Sequence, residues 1–243
     1  MERDRLFLPH VAMALILAAG MAVGGYFIGN TLYKARIANN VATVKGLAER
    51  EVKANVAAWT VSFSTTQDTL QEAYGTANAD LEKVADYLAK AGFTTEEMTR
   101  NALSVSVENE RNEYGNETGK KRYSVSGAID VRSEDVDKIA AAAQAAGDLV
   151  GQGVLLTATP PRYMFTKLND IKPEMLGEAT RNARVAAQQF AKDANADVGN
   201  IFSAEQGAFN FSSRDATSEY DGAESASIYK KIRVVTTISF YLN

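Results

Sequence analysis

The only histidine, His10, lies beside Pro9 inside an apolar run, and the chain has no cysteine. Beyond that run a Ser-His-Asp triad, a Cys-His pair, a His-ligated zinc and a His general base are all out of reach. Disulfides and thiolate metal sites are absent too. What survives is carboxylate-pair, Lys-base or Tyr-acid chemistry, the kind that cleaves glycosides and peptidoglycan-type polymers. The carboxylates that would perform it, among them Glu96, Glu97, Glu108, Glu110, Glu113 and Glu117, are scattered along helix faces and loops, where a solvated surface accounts for them. No Gly-rich phosphate loop follows a strand, because Gly20, Gly24, Gly25 and Gly29 fall in the apolar run. These patterns assign no catalytic residue, no cofactor and no metal ligand. Trp59, the only tryptophan, reads as core. Tyr114, among the charges of 111–121, reads as a solvated hairpin tip or a contact surface.

The apolar run itself carries the clearest signal. Residues 6–33 contain no Asp, Glu, Lys or Arg. At about 1.5 Å per residue these residues can cross a hydrocarbon layer about 30 Å thick, with tilt to spare. The run is too long for a cleaved signal peptide, and its far end, Asn30-Thr31-Leu32-Tyr33-Lys34-Ala35-Arg36, resembles a membrane interface rather than a cleavage site. A retained signal anchor is expected. Arg3 and Arg5 before the run are balanced by Lys34 and Arg36 after it, so charge does not orient it. A short N-terminal stub ahead of a whole folded domain favours export of that domain. The expectation is a single-pass protein of the inner (cytoplasmic) membrane with its C-terminal domain periplasmic or otherwise extracytoplasmic. Within the helix, Ala14, Ala18, Ala22, Gly25 and Gly29 share one face, a small-residue stripe suited to close helix packing in lipid. A pore lined by several such helices is disfavoured, since only His10 and Asn30 would offer polar lining.

The chain has 26 Lys and Arg against 30 Asp and Glu; setting aside Arg3, Arg5, Glu2 and Asp4 leaves 24 against 28 beyond the helix. A mildly acidic domain without a basic stripe lacks the footprint of a nucleic-acid binder. Segment 34–40 reads as a polar connector, and 41–243 as one α/β domain. Residues 55–65 alternate, with Ala57, Trp59, Val61 and Phe63 on one face, and predict a strand. Asp68, three residues before Gln71, predicts the cap of a helix with apolar Leu70, Ala73, Tyr74, Ala77, Leu81, Val84, Ala85 and Leu88, closed by Gly92 and a contact from Phe93. Leu103, Val105 and Val107, then Tyr123, Val125, Ile129 and Val131, predict a hairpin with its tip at 111–121. Ser133 is placed to cap a short Ala-rich helix ending at Gly147.

After a strand at 154–165, Pro173 is placed to open a helix carrying Leu176, Ala179, Ala183, Ala187 and Phe190. A strand at 198–211, a loop at 212–227 and a strand with Ile232, Val234, Ile238 and Phe240 complete the chain. Both Lys120-Lys121 and Lys230-Lys231 precede a final strand, and strand-helix-strand-strand order recurs in halves 41–150 and 151–243: a weak internal duplication, or two common modules side by side. The fold class expected is α+β, with antiparallel-rich sheets covered by helices.

Several stretches are similar to those of the SIMPL domain family: Val44-Lys45-Gly46 with Glu49 and Val52, Met98-Thr99-Arg100-Asn101-Ala102-Leu103-Ser104-Val105, Tyr123-Ser124-Val125-Ser126-Gly127, and Ala179, Asn182, Ala183, Ala186, Ala187 and Ala191 followed by Val198-Gly199 and Ile201. The resemblance covers about 41–243. It implies an envelope protein, since bacterial relatives are periplasmic or envelope proteins, some immunogenic, some linked to oxidative-stress tolerance, and one a hollow ring-like homo-oligomer. It carries no catalytic residues. Together these readings give a non-enzymatic, membrane-anchored envelope protein that touches lipid through its helix and assembles into a homo-oligomer larger than a dimer. The alternative is a carboxylate-dependent hydrolase of an envelope polymer.

Overall fold

The computed structural model describes residues 3–37, 40–111, 114, 117–157, 160–216 and 224–243. Helix α1 spans Arg3–Ile37, so most of the expected connector is helical. Its window Leu15–Leu32 has mean hydropathy 1.5 and none of it is buried. That makes α1 long and apolar enough to cross a membrane. In chain order there follow β1 (Val41–Lys53), β2 (Val56–Gln67), α2 (Leu70–Lys90), β3 (Met98–Arg100), β4 (Ser104–Arg111), β5 (Glu117–Ser133), α3 (Val136–Ala145), α4 (Gly147–Gly151), β6 (Leu156–Thr157), β7 (Arg162–Met164), α5 (Leu168–Asp193), β8 (Val198–Ser213) and β9 (Tyr229–Leu242). The expected α+β class with antiparallel sheets is what forms. One sheet has strand order β1-β9-β8; the other has order β3-β5-β2-β6, with β4 also paired to β5 and β7 to β2. Two compact units draw on separate stretches of sequence, one from 1–48, 174–208 and 234–243, the other from 49–173 and 209–233.

The second unit is organised by β2, which pairs antiparallel with β5 in the register Trp59↔Val131, Val61↔Ile129, Phe63↔Gly127. Alternation sends Ala57, Trp59, Val61 and Phe63 into a core with Val125, Ile129 and Val131, and α2 closes it with Ala73, Ala77, Leu81, Val84, Ala85 and Leu88. Trp59 and the Leu81, Val84, Leu88 stripe belong to that one core, as expected. Helix α2 begins one residue later than its sequence suggests: Thr69, not Asp68, is the cap, its hydroxyl accepting from the Glu72 amide at 3.3 Å. Leu70 and Tyr74 are exposed, because a stripe two residues wide already fills the helix–sheet contact. At the other end the Phe93 amide donates to Leu88 O (3.1 Å) and the Gly92 amide to Ala89 O (3.0 Å), with Gly92 at φ +87°. This is the glycine-closed helix end that the sequence announces.

Other boundaries differ from the expectation for local reasons. Asp135, not Ser133, caps α3, accepting from the Lys138 amide at 3.0 Å, while Ser133 is the last residue of β5. A short second helix, α4, follows from Gly147, where the Ala-rich helix was expected to stop. The single strand expected at 154–165 is two fragments, β6 and β7, on either side of Pro160-Pro161, which have no amide to give to a ladder. The hairpin pairs out to Arg111↔Glu117, so its tip is shorter than 111–121; residues 112, 113, 115 and 116 lie outside the described residues. Val105 and Val107 are exposed on β4.

Helix α5, whose residues from Glu174 onward belong to the first unit, starts at Leu168, so Pro173 does not open it: it is the sixth residue, past the four free amides of a helix start, and takes one intrahelical bond away. Its buried stripe is Met175, Ala179, Ala183, Ala187 and Ala191; Phe190 is exposed and Leu176 only half-buried. Ala183 and Ala187 pack with Val44, Ile238 and Phe240. Strand β1 went unannounced because its buried positions, Val44, Gly46 and Ala48, are small. Gly46 is fixed by contact: a Cβ there would lie 1.9 Å from Ala179 O and 2.6 Å from Ala183 N. Only hydrogen lets α5 seat this close.

Candidate functional site

Three places hold the residues singled out by chemistry or spacing. The first is the small-residue stripe of α1. Ala18, Ala22, Gly25 and Gly29 are exposed, and a Cβ added at Gly25 or Gly29 would meet nothing within 4 Å. The side chain of Ala14 lies outside the described residues, as does that of His10.

The second is the polar cluster around Glu97 in the unit containing β2. A 3-10 turn, Thr95–Glu97, ends α2's return to the sheet, and the Thr94 amide donates to Glu97 Oε2 at 3.0 Å. Ser133 Oγ donates to the same carboxylate and accepts from the Asp135 amide at 3.1 Å. Lys138 Nζ reaches both Glu97 oxygens at 3.0 Å and Gly92 O at 3.3 Å, and lies 4.6 Å from the centre of the Phe93 ring. Hydrogen bonds from Ser133 and the Thr94 backbone, with Lys138 adding to them, hold Glu97 at a pKa of about 2. A cavity of about 450 Å³ beside it is lined by Glu97, Glu134, Asp135, Arg132 and Lys138. This brings three carboxylates, Glu97, Glu134 and Asp135, to one cavity. Chemically, an ionised carboxylate whose oxygens are already taken, opposite an ammonium donating to three oxygens, fastens the ends of α2, β5 and α3 to one another.

The third is Asp130, on the face of β5 away from the core. Thr60 Oγ1 donates to it at 2.5 Å and Asn101 Nδ2 at 2.9 Å, and these bonds hold its carboxyl below the usual range. Asn101 also donates its amide to Ala128 O at 3.0 Å, and Arg100 grips Glu82 through two bonds of 2.7 and 3.3 Å. Gly127 is held by contact, since a Cβ there would lie 2.5 Å from the Phe63 ring and 2.7 Å from Leu103. Gly46, Ala179 and Ala183 already have such a role in the other unit.

The motif residues therefore perform packing and pinning. Glu97 stood among the scattered carboxylates, whereas Asp130 and the buried Lys230 gave no catalytic signal in the sequence; Lys230 had one for burial, standing in phase with Ile232 and Val234. Among the described residues no group of three or more His, Asp or Glu is placed to hold a metal ion.

An apolar N-terminal helix followed by an antiparallel α+β domain, its motif glycines and alanines serving close packing, defines a class of protein rather than a reaction. The family model that matches is SIMPL, described as a protein of unknown function (DUF541), over residues 42–240. The chain belongs to the SIMPL family. A search of curated proteins finds no match to it.

Proposed function

We propose that this protein is a non-enzymatic envelope component, anchored by α1 with its domain outside the cytoplasm, that assembles into a homo-oligomer larger than a dimer and serves as a scaffold. The observation that carries the anchor is the uncharged window Leu15–Leu32, none of which is buried. In water that apolar surface would be a liability, and in lipid it is at rest. Strand β8 supports assembly. It lies at the edge of its sheet, residues 200–206 are exposed on both faces, and Glu205 is its one charge in 16 residues. A long, nearly uncharged edge is what soluble monomers avoid. Family membership is consistent with this reading, and a role in stress protection would follow from it.

A second reading, a carboxylate-dependent hydrolase, draws on the three carboxylates around the cavity at Glu97. A general acid needs a raised pKa, and Glu97 is pulled the other way. The scaffold reading is therefore preferred.

Two measurements test it. Protease added outside spheroplasts should remove the domain beyond residue 34; protection until lysis would reverse the orientation. Full-length protein in mild detergent should run larger than a dimer, and Gly25→Leu with Gly29→Leu should reduce that size without unfolding the domain. A monomer at micromolar concentration would end the assembly reading, and an unchanged size in the double variant would move assembly from α1 to the domain.

A further inference from the structure

Lys230 is the least expected side chain in the unit that holds it. Its side chain has 0% exposure, a position lysine rarely takes without a partner. Both partners come from one residue: Nζ donates to Glu224 Oε1 at 2.7 Å and to Glu224 O at 2.5 Å. Glu224 opens the 3-10 turn Glu224–Ala226, which packs against β7. After the turn, Ser227 Oγ donates to Tyr229 O at 2.6 Å and Ile228 O accepts from the Ala54 amide at 2.8 Å, so the chain is tied down again. Among the described residues, backbone bonds hold the chain that follows the turn, and the charge pair with Lys230 holds the turn's first residue.

Two cavities flank this segment. One, of about 370 Å³, is lined by Arg162, Tyr163, Phe211, Glu224 and Ser225. The other, of about 480 Å³, is lined by Ala226, Ile228 and Tyr229 together with Tyr163 and Arg214. Tyr163 lines both, and the 224–228 segment stands between them. Tyr163 is only 7% exposed.

We propose that Glu224–Ala226 is a strap latched by charge onto Lys230, and that its release joins the two cavities into one cleft floored by Tyr163. The asymmetry of the pair makes this a latch. Glu224 can regain water by swinging out, whereas Lys230 cannot move without its strand. Removing only the carboxylate charge leaves a buried ammonium with a poorer partner, which favours the open strap. Removing both charges takes that penalty away.

Hydrogen exchange on the full-length protein in detergent tests this without any substitution. Amides of 225–227 should exchange by an opening much less costly than the one that exposes β2 and β5. If they exchange only with β2 and β5, there is no separate strap. Glu224→Gln should raise exchange of 225–227 by about tenfold to a hundredfold, and should make Tyr163 reactive to tetranitromethane, with β2 and β5 unchanged. Glu224→Gln combined with Lys230→Met should return both readouts toward wild type. An unchanged strap in Glu224→Gln, or a double variant as open as the single one, overturns the latch.

Discussion

The two units each pack a helix on a sheet, and they do it by opposite means. Where α2 lies on β2 and β5, the contact is made of bulk: Trp59, Phe63, Leu81, Leu88 and Ile129 fill the space between the layers. Where α5 lies on β1 and β9, its own contribution is four alanines and Met175, and the sheet offers Gly46. In the first the layers stand apart and side chains carry the buried area. In the second the backbones approach until there is room for nothing larger. The difference teaches that the two cores fail in opposite ways, one when it is emptied and the other when it is filled.

The sharpest way to break the comparison is to empty the bulky core. Leu88 is 0% exposed, and Leu88→Ala should cost about 2–5 kcal/mol, read as a lowered denaturation midpoint. An undiminished midpoint would mean that α2 does not close this core. Filling the close-packed core comes next. Gly46→Ala puts a methyl into the Ala179 carbonyl, where backbone must move, and should cost about 1–3 kcal/mol. The same change at Gly147, where a Cβ meets nothing within 4 Å, serves as the control and should leave stability nearly unaltered. Equal losses at the two glycines would remove the distinction.

The smallest effect concerns pinning rather than packing. Glu97 sits at about 2 in the folded protein against 4.5 in its absence, so the folded state binds its proton less readily than the unfolded one. Its contribution is complete above about pH 4.5 and is lost as pH falls toward 2. Glu97→Gln should therefore flatten the acid limb of the stability curve by about 1–3 kcal/mol while changing little in its slope near neutrality. A variant with the same acid limb as wild type would show that the cluster at Ser133 and Lys138 holds without its charge.

Much of the fold can be read from residue order, and the exceptions have physical causes. Strand β2, helix α2 and its Gly92 end were legible because large apolar residues alternate with a clear period and the terminator is a residue with a special φ. Strand β1 was not, since its buried face is small. Pro160-Pro161 marked the break between β6 and β7, yet a run of apolar neighbours concealed it. Lys230 was read as half of a basic pair, although its phase with Ile232, Val234 and Ile238 already put it on the buried face.

By itself the sequence determined the apolar helix, the α+β class, the family and the absence of cysteine and of any histidine beyond residue 10. These depend on composition and on period, which are properties of neighbours along the chain. Only the tertiary structure decided that Gly46 admits Ala179, that Glu97 gathers Ser133 and Lys138, and that Lys230 is closed in by Glu224. Each of these depends on distances between residues that the chain order leaves free, and is settled by which backbones can approach and which charges would otherwise be buried alone.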